Sequence, residues 1–181
     1  MRRVVVLGLG NILYGDEGFG VRAAERLHTR YAFPDHVEIV DAGTQGYPLL
    51  AFVERADRLL LLDAVDFGLE PGSLVCKDST EIPAYLSAHK VSMHQSSFSE
   101  VMALAALTDC LPEETRLLGV QPADLSYGHT LSRSAFAQLD TVVELALAQL
   151  GEWDAAPLPG RGGSAFHNQG ISLERYAPLS L

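Results

Sequence analysis

Apolar positions along the chain fall into two alternating patterns. Short unbroken runs stand at residues 3–7 (Arg-Val-Val-Val-Leu), 37–40 (Val-Glu-Ile-Val) and 58–62 (Arg followed by four leucines). Runs of this kind suit strands buried on both faces of a parallel sheet. Between them the apolar spacing becomes helical. Gly20, Ala23, Ala24 and Leu27 follow a helix start at Asp16 or Glu17, and Leu49, Leu50, Phe52 and Val53 follow Pro48, a residue suited to a first helical turn. Val101, Met102, Leu104, Ala105 and Leu107 follow Ser97 and Glu100, which have capping-box spacing. Over residues 134–150, Phe136, Leu139, Val143, Ala146 and Leu150 form one stripe of an amphipathic helix. Residues 115–120 read as a last strand, and residues 73–76, after the Glu70-Pro-Gly72 turn, as a strand at or near a sheet edge. Strand, helix, strand, helix, strand predicts an α/β domain with a mostly parallel sheet covered on both faces. Residues 1–150 make that domain, and residues 151–181, with Pro157, Pro159, Pro178 and five glycines, predict an irregular tail.

Composition narrows the function. The chain of 181 residues carries 13 Lys+Arg against 23 Asp+Glu, a formal charge of −10. Such a surface repels phosphate backbones, which argues against non-specific nucleic-acid binding. Two cysteines, Cys76 and Cys110, give no disulfide framework and no C-x-x-C pair, and suit a reducing compartment. The apolar run after Arg2-Arg3 stops at Gly8, and no run reaches the ~20 residues of a membrane span. These features predict a cytoplasmic protein without membrane insertion. No second apolar stripe is evident on the long helices, so a monomer is expected.

The first loop imitates two phosphate-binding motifs and fits neither. Gly8 and Gly10 lack the third glycine of G-x-G-x-x-G, since Leu13 stands there. Gly10 and Gly15 have Walker spacing, but Asp16-Glu17 replace the Lys-Ser/Thr pair. Two carboxylates at a helix start repel phosphate and favour a cation. Helix capping and compensation of the helix dipole are the commoner explanation of such acids, so a cation site requires further partners. Other acids come out on the same rim, because ligands bind beyond the carboxyl ends of parallel strands. Asp41 ends the second strand and Asp63 the third. His94, just before the helix that carries Val101 and Met102, lies near a helix entrance. Glu17, Asp63 and His94 make an O, O, N donor set suited to a borderline divalent ion such as nickel or zinc. No G-x-S-x-G elbow or H-E-x-x-H helix competes with it.

Five ordered motifs then meet a known family. Gly8-Leu-Gly-Asn-Ile-Leu-Tyr-Gly-Asp-Glu-Gly-Phe-Gly20, Asp41-Ala-Gly-Thr44, Leu62-Asp-Ala-Val-Asp66, Ser92-Met-His-Gln95 and Gly119-Val-Gln-Pro122 resemble the NiFe-hydrogenase maturation endopeptidases, most closely the uptake-hydrogenase branch. The resemblance implies a three-layer α/β/α sandwich around a twisted, mostly parallel five-stranded sheet with one antiparallel strand. It implies an aspartic-type endopeptidase that removes the C-terminal extension of the hydrogenase large-subunit precursor after nickel insertion. Glu17, Asp63 and His94 would contact the nickel that arrives with that partner, and zinc or cadmium would also suit the site. Asn11, Gly43, Thr44 and Gln95 would position the substrate peptide. Among the acids, Asp41, Asp63 and Glu17 are the candidates for catalysis, with Asp41 either a general base or an orienting group for its own loop. Two other readings stay open. A nickel-sensing chaperone would use the same ligands without cutting. Gly8-Leu-Gly-Asn11 also resembles the start of peptidyl-tRNA hydrolases, although that family continues with Pro-Gly and the −10 charge disfavours tRNA.

Overall fold

The apolar runs become a central sheet. The computed structural model describes residues 1–87, 93–160 and 167–168; the side chains of residues 87–97, 167 and 168 are not among those described. The strands are β1 (Val4–Leu9), β2 (Val37–Gly43), β3 (Arg58–Ala64), β4 (Leu74–Lys77), β5 (Glu114–Val120) and a two-residue β6 (His167–Asn168). The helices are α1 (Phe19–Arg30), α2 (Leu50–Glu54), α3 (Ile82–Ser87), α4 (Met93–Leu107) and α5 (Arg133–Glu152). Strand order is β4-β5-β3-β1-β2-β6. All neighbours run parallel except β4, which pairs antiparallel with β5 at the edge. The mixed five-stranded sheet with one antiparallel strand is therefore present, and His167–Asn168 extends it beside Val40 and Asp41.

Alternation along each strand sorts the core into two layers. Val5, Leu7, Leu59 and Leu61 pack with Phe52, Tyr85, Phe98 and Met102 of α2, α3 and α4. Val4, Val6, Leu60 and Leu62 pack with Phe19 and Leu27 of α1 and Leu139, Val143 and Leu150 of α5. Burying each such side chain contributes about 1.5–3 kcal/mol. Helix α1 lies directly on the strand ends. A Cβ on Gly20 would stand 2.0 Å from the Leu62 carbonyl oxygen and 2.4 Å from that of Leu9, so no larger residue fits there.

Four local expectations change. Asp16 and Glu17 occupy a short 3-10 turn, Gly15–Gly18, and α1 begins only at Phe19. Helix α4 begins at Met93, so His94 falls in its first turn and Ser97 inside it. A Ser-x-x-Glu pair matches any adjacent turns of one helical face, and marks a start only where the preceding chain is non-helical. On α5, Phe136 is 58% exposed beneath the Arg26 guanidinium, while Ala135 and Val142 take the inward positions. Finally, α3 carries Pro83 and no apolar period, and gives no helical signal in the sequence. Beyond residue 150, Trp153 and Ala155 are buried in the α1–α5 layer and the Leu158 amide bonds the Ala32 carbonyl.

Candidate active site at the carboxyl ends of the strands

Asp63, near the end of β3, is fully buried. It shares the parity of Leu59 and Leu61, so its carboxylate enters the α2–α4 layer. There Oδ1 accepts the Ala64 amide at 2.8 Å and Oδ2 accepts the Tyr85 hydroxyl at 2.9 Å. Burial, and next the adjacent Asp63 charge, hold the Tyr85 phenol well above its ordinary pKa, so Tyr85 keeps its proton and donates. Directly across the ladder is Gly119. A Cβ there would lie 2.3 Å from the Asp63 carbonyl oxygen, which explains why the residue following Leu118 has no side chain.

The neighbouring acids of the first loop part company. Asp16 is fully buried and takes three backbone amides: Ala123 at 2.8 Å and Asp124 at 3.0 Å on Oδ2, and Ser132 at 2.7 Å on Oδ1. It fastens the 121–132 loop to the first loop, together with the Gly15 amide on the Gly128 carbonyl and the Gly128 amide on that of Leu13. Its role is structural, though toward a distant loop rather than its own helix. Glu17 is 8% exposed, in the 3-10 turn that packs against β3. Gly10 lies beneath it so closely that a Cβ would meet the Glu17 carbonyl oxygen at 1.8 Å. Glycines therefore hold the backbones of Glu17 and Asp63 against the sheet end.

Asp41 leaves the same rim on the other face. It pairs in register with Gly8, whose Cβ position points at Ala24 of α1, and it shares the parity of Ile39. Asp41 is 3% exposed, and its Oδ1 has no hydrogen-bond partner among the described residues. Burial raises its pKa to about 6; a hydrogen bond from the Gly43 amide opposes the rise and the Glu25 charge adds to it. Strand β1 separates Asp41 from Asp63.

The remaining predicted site residues lie in the loop after β1, at the end of β2 and just after it, and in α4. Asn11 Oδ1 accepts the Leu13 amide at 3.0 Å and so shapes its own loop. Gly43 has φ +53°, a left-handed conformation suited to glycine, and its carbonyl accepts the Gly10 amide, joining the first two loops. Thr44 is exposed beside it. His94 and Gln95 lie in the first turn of α4, and their side chains fall outside the described residues. Among the described residues no three His, Cys, Asp or Glu side chains form a metal-sized group. Two residues were missed by sequence reasoning. Tyr85 carried no signal beyond the general need of a buried carboxylate for donors. Gln121, within a quoted motif but unassigned, accepts the Phe67 and Leu69 amides at 2.9 and 3.2 Å and donates to Asp66 at 2.9 Å, fixing the loop after β3.

Chemically, the carboxyl ends of the strands carry two buried acids, Glu17 and Asp63, hard oxygen donors whose backbones are held by close packing.

Comparison with known proteins gives one family. The family model described as hydrogenase maturation protease matches residues 21–149. The chain is 47% identical over 152 residues to the hydrogenase expression/formation protein HupD of Bradyrhizobium diazoefficiens, covering 83% of this chain and 79% of that one. It is 37% identical over 158 residues to the hydrogenase 2 maturation protease of Escherichia coli, covering 87% and 96%. The solved structure of the hydrogenase maturating endopeptidase HybD from E. coli superposes with a TM-score of 0.82 at 36% identity, covering 87% of this chain and 97% of that one.

Proposed function

Because the chain belongs to the hydrogenase maturation protease family, we propose that it is the endopeptidase that removes the C-terminal extension of a NiFe-hydrogenase large-subunit precursor once nickel is in place. The observation that carries this reading is Asp63, a fully buried carboxylate at a strand end with both oxygens held by donors. A buried carboxyl group is kept where hydrogen bonds, an ion pair or a metal compensate its loss of water, and donors fixed on both oxygens present it in one orientation. In this reading the metal is the nickel of the precursor, which is substrate, and Glu17, Asp63 and His94 complete its coordination. Zinc or cadmium suits the same donors.

The chemistry follows from incomplete coordination. Three protein donors leave positions for the precursor's own ligands, so the loaded precursor gains binding energy that the empty one lacks. Each 1.4 kcal/mol of that difference is worth about tenfold in affinity. Hydrolysis is of the aspartic type, a carboxylate of the site taking the proton from the attacking water. Asn11, Gly43, Thr44 and Gln95 border the path of the substrate peptide, and Asp41 supports the 41–44 turn. No helix among the described residues is long and apolar enough to cross a membrane.

Incubating the protein with nickel-loaded precursor and following the precursor mass tests the proposal. The wild type is expected to release a C-terminal peptide, and Asp63→Asn to release none. Tight association of the two without any change in mass would replace the protease by a nickel-sensing chaperone.

A further inference from the structure

We infer that Tyr85 is a positioning residue whose hydroxyl fixes the Asp63 carboxylate in the orientation that meets the metal. The inference rests on the reading of Asp63 given above and adds a residue that none of the sequence motifs contains.

Tyr85 is 5% exposed, and its ring belongs to the α2–α4 core. Phenylalanine would fill that space equally well. A buried hydroxyl costs stability unless it is paired, and here the pair is Asp63 Oδ2 at 2.9 Å. The Ala64 amide holds Oδ1 from the adjacent residue. Donors on both oxygens, from two different elements, fix the rotation of the carboxylate about its last bond.

The platform that carries Tyr85 is itself secured. At its start, the Ser79 hydroxyl donates to the Thr115 carbonyl at 3.1 Å and accepts the Thr115 amide at 2.8 Å, tying the loop to β5. Lys77 bonds Glu81 at 2.8 Å. Near the end of α3, the Ser99 hydroxyl of α4 donates to the Leu86 carbonyl at 3.1 Å. Helix α3 therefore stands between β5, the neighbour of Asp63's strand, and α4, whose first turn includes His94. Through Tyr85 the orientation of Asp63 is set relative to the helix that carries the third predicted ligand.

Calorimetric titration of Ni²⁺ into the wild type, Tyr85→Phe and Ile82→Val tests this. Ile82→Val trims a buried side chain of the same helix and leaves the hydroxyl in place. Loss of an outer partner of a metal ligand lowers metal affinity by about 10–100-fold. Tyr85→Phe is expected to show that loss and to shift the ligand-field absorption of bound Co²⁺, while Ile82→Val keeps both wild-type values. Wild-type affinity in Tyr85→Phe, or an equal loss in Ile82→Val, would overturn the inference and leave the metal reading standing. A wild type that takes up no Ni²⁺ would overturn the inference, while the metal reading would still be judged by cleavage of nickel-loaded against nickel-free precursor. If Tyr85→Phe does not fold, Tyr85→Met fills the same apolar space without a hydroxyl and is held to the same outcomes.

Discussion

Replacing Asp41 by Asn should make the protein more stable at neutral pH and change it least in acid. In the fold the Asp41 carboxyl titrates near 6, against 3.8 for an ordinary aspartate. Below pH 4 the group is protonated in both folded and unfolded chains and contributes no pH-dependent difference. Between pH 4 and 6 the unfolded chain releases the proton while the fold retains it, so stability falls as pH rises. Above pH 6 the full cost is present. A difference of about two pH units, at about 1.4 kcal/mol each, makes it roughly 3 kcal/mol. Burial dominates the shift, and Asp41 Oδ1 finds no donor among the described residues, so little offsets the charge. Asparagine keeps an oxygen for the Gly43 amide and does not titrate. Urea unfolding of both proteins at pH 4, 5, 6, 7 and 8 measures the gap, with all other carboxylates in common. The stability of Asp41→Asn minus that of the wild type is expected to grow by roughly 3 kcal/mol between pH 4 and 8. A gap that stayed constant, or narrowed as pH rose, would refute the reasoning.

Other perturbations have equally definite outcomes. Gly119→Ala forces a methyl group to within 2.3 Å of the Asp63 carbonyl, and should cost about 3 kcal/mol or more in chemical denaturation as the β3–β5 ladder parts. Asp16→Ala leaves the Ala123, Asp124 and Ser132 amides without their acceptor, for a loss of about 3 kcal/mol and faster proteolysis within residues 121–132. Gln121→Leu removes the acceptor of the Phe67 and Leu69 amides, and hydrogen exchange at those two amides should accelerate more than at any amide of β3.

The architecture could be read from the sequence wherever burial is complete. Residues 58–62 and 3–7 form strands because leucine and valine fill both layers of the core, so local pattern and tertiary environment agree. Helix α3 escaped because Pro83 and a lack of apolar period conceal a segment held by Ser79, Ser99 and the Lys77–Glu81 pair. Phe136 fitted the α5 stripe, yet it lies over the Arg26 guanidinium, a contact that depends on α1. The site was visible as residue types, and its internal division was not. Asp16 and Glu17 are adjacent in sequence, and only amides 107 to 116 residues away distinguish them. Asp41 and Asp63 both lie near the carboxyl ends of their strands, but strand parity sends them to opposite faces of the sheet, a distinction that needs the register with β1. Tyr85 joins the site only through its 2.9 Å hydrogen bond to Asp63, which no local pattern encodes.

The central claim is that the buried acids read the nickel of the precursor. Its most direct test compares cleavage rates of nickel-loaded and nickel-free large-subunit precursor by the wild-type protein, at equal concentrations, by mass spectrometry of the C-terminal peptide. The account predicts rapid release from the loaded form and none from the nickel-free form. Equal rates on both precursors would contradict it, leaving a protease that does not sense the metal.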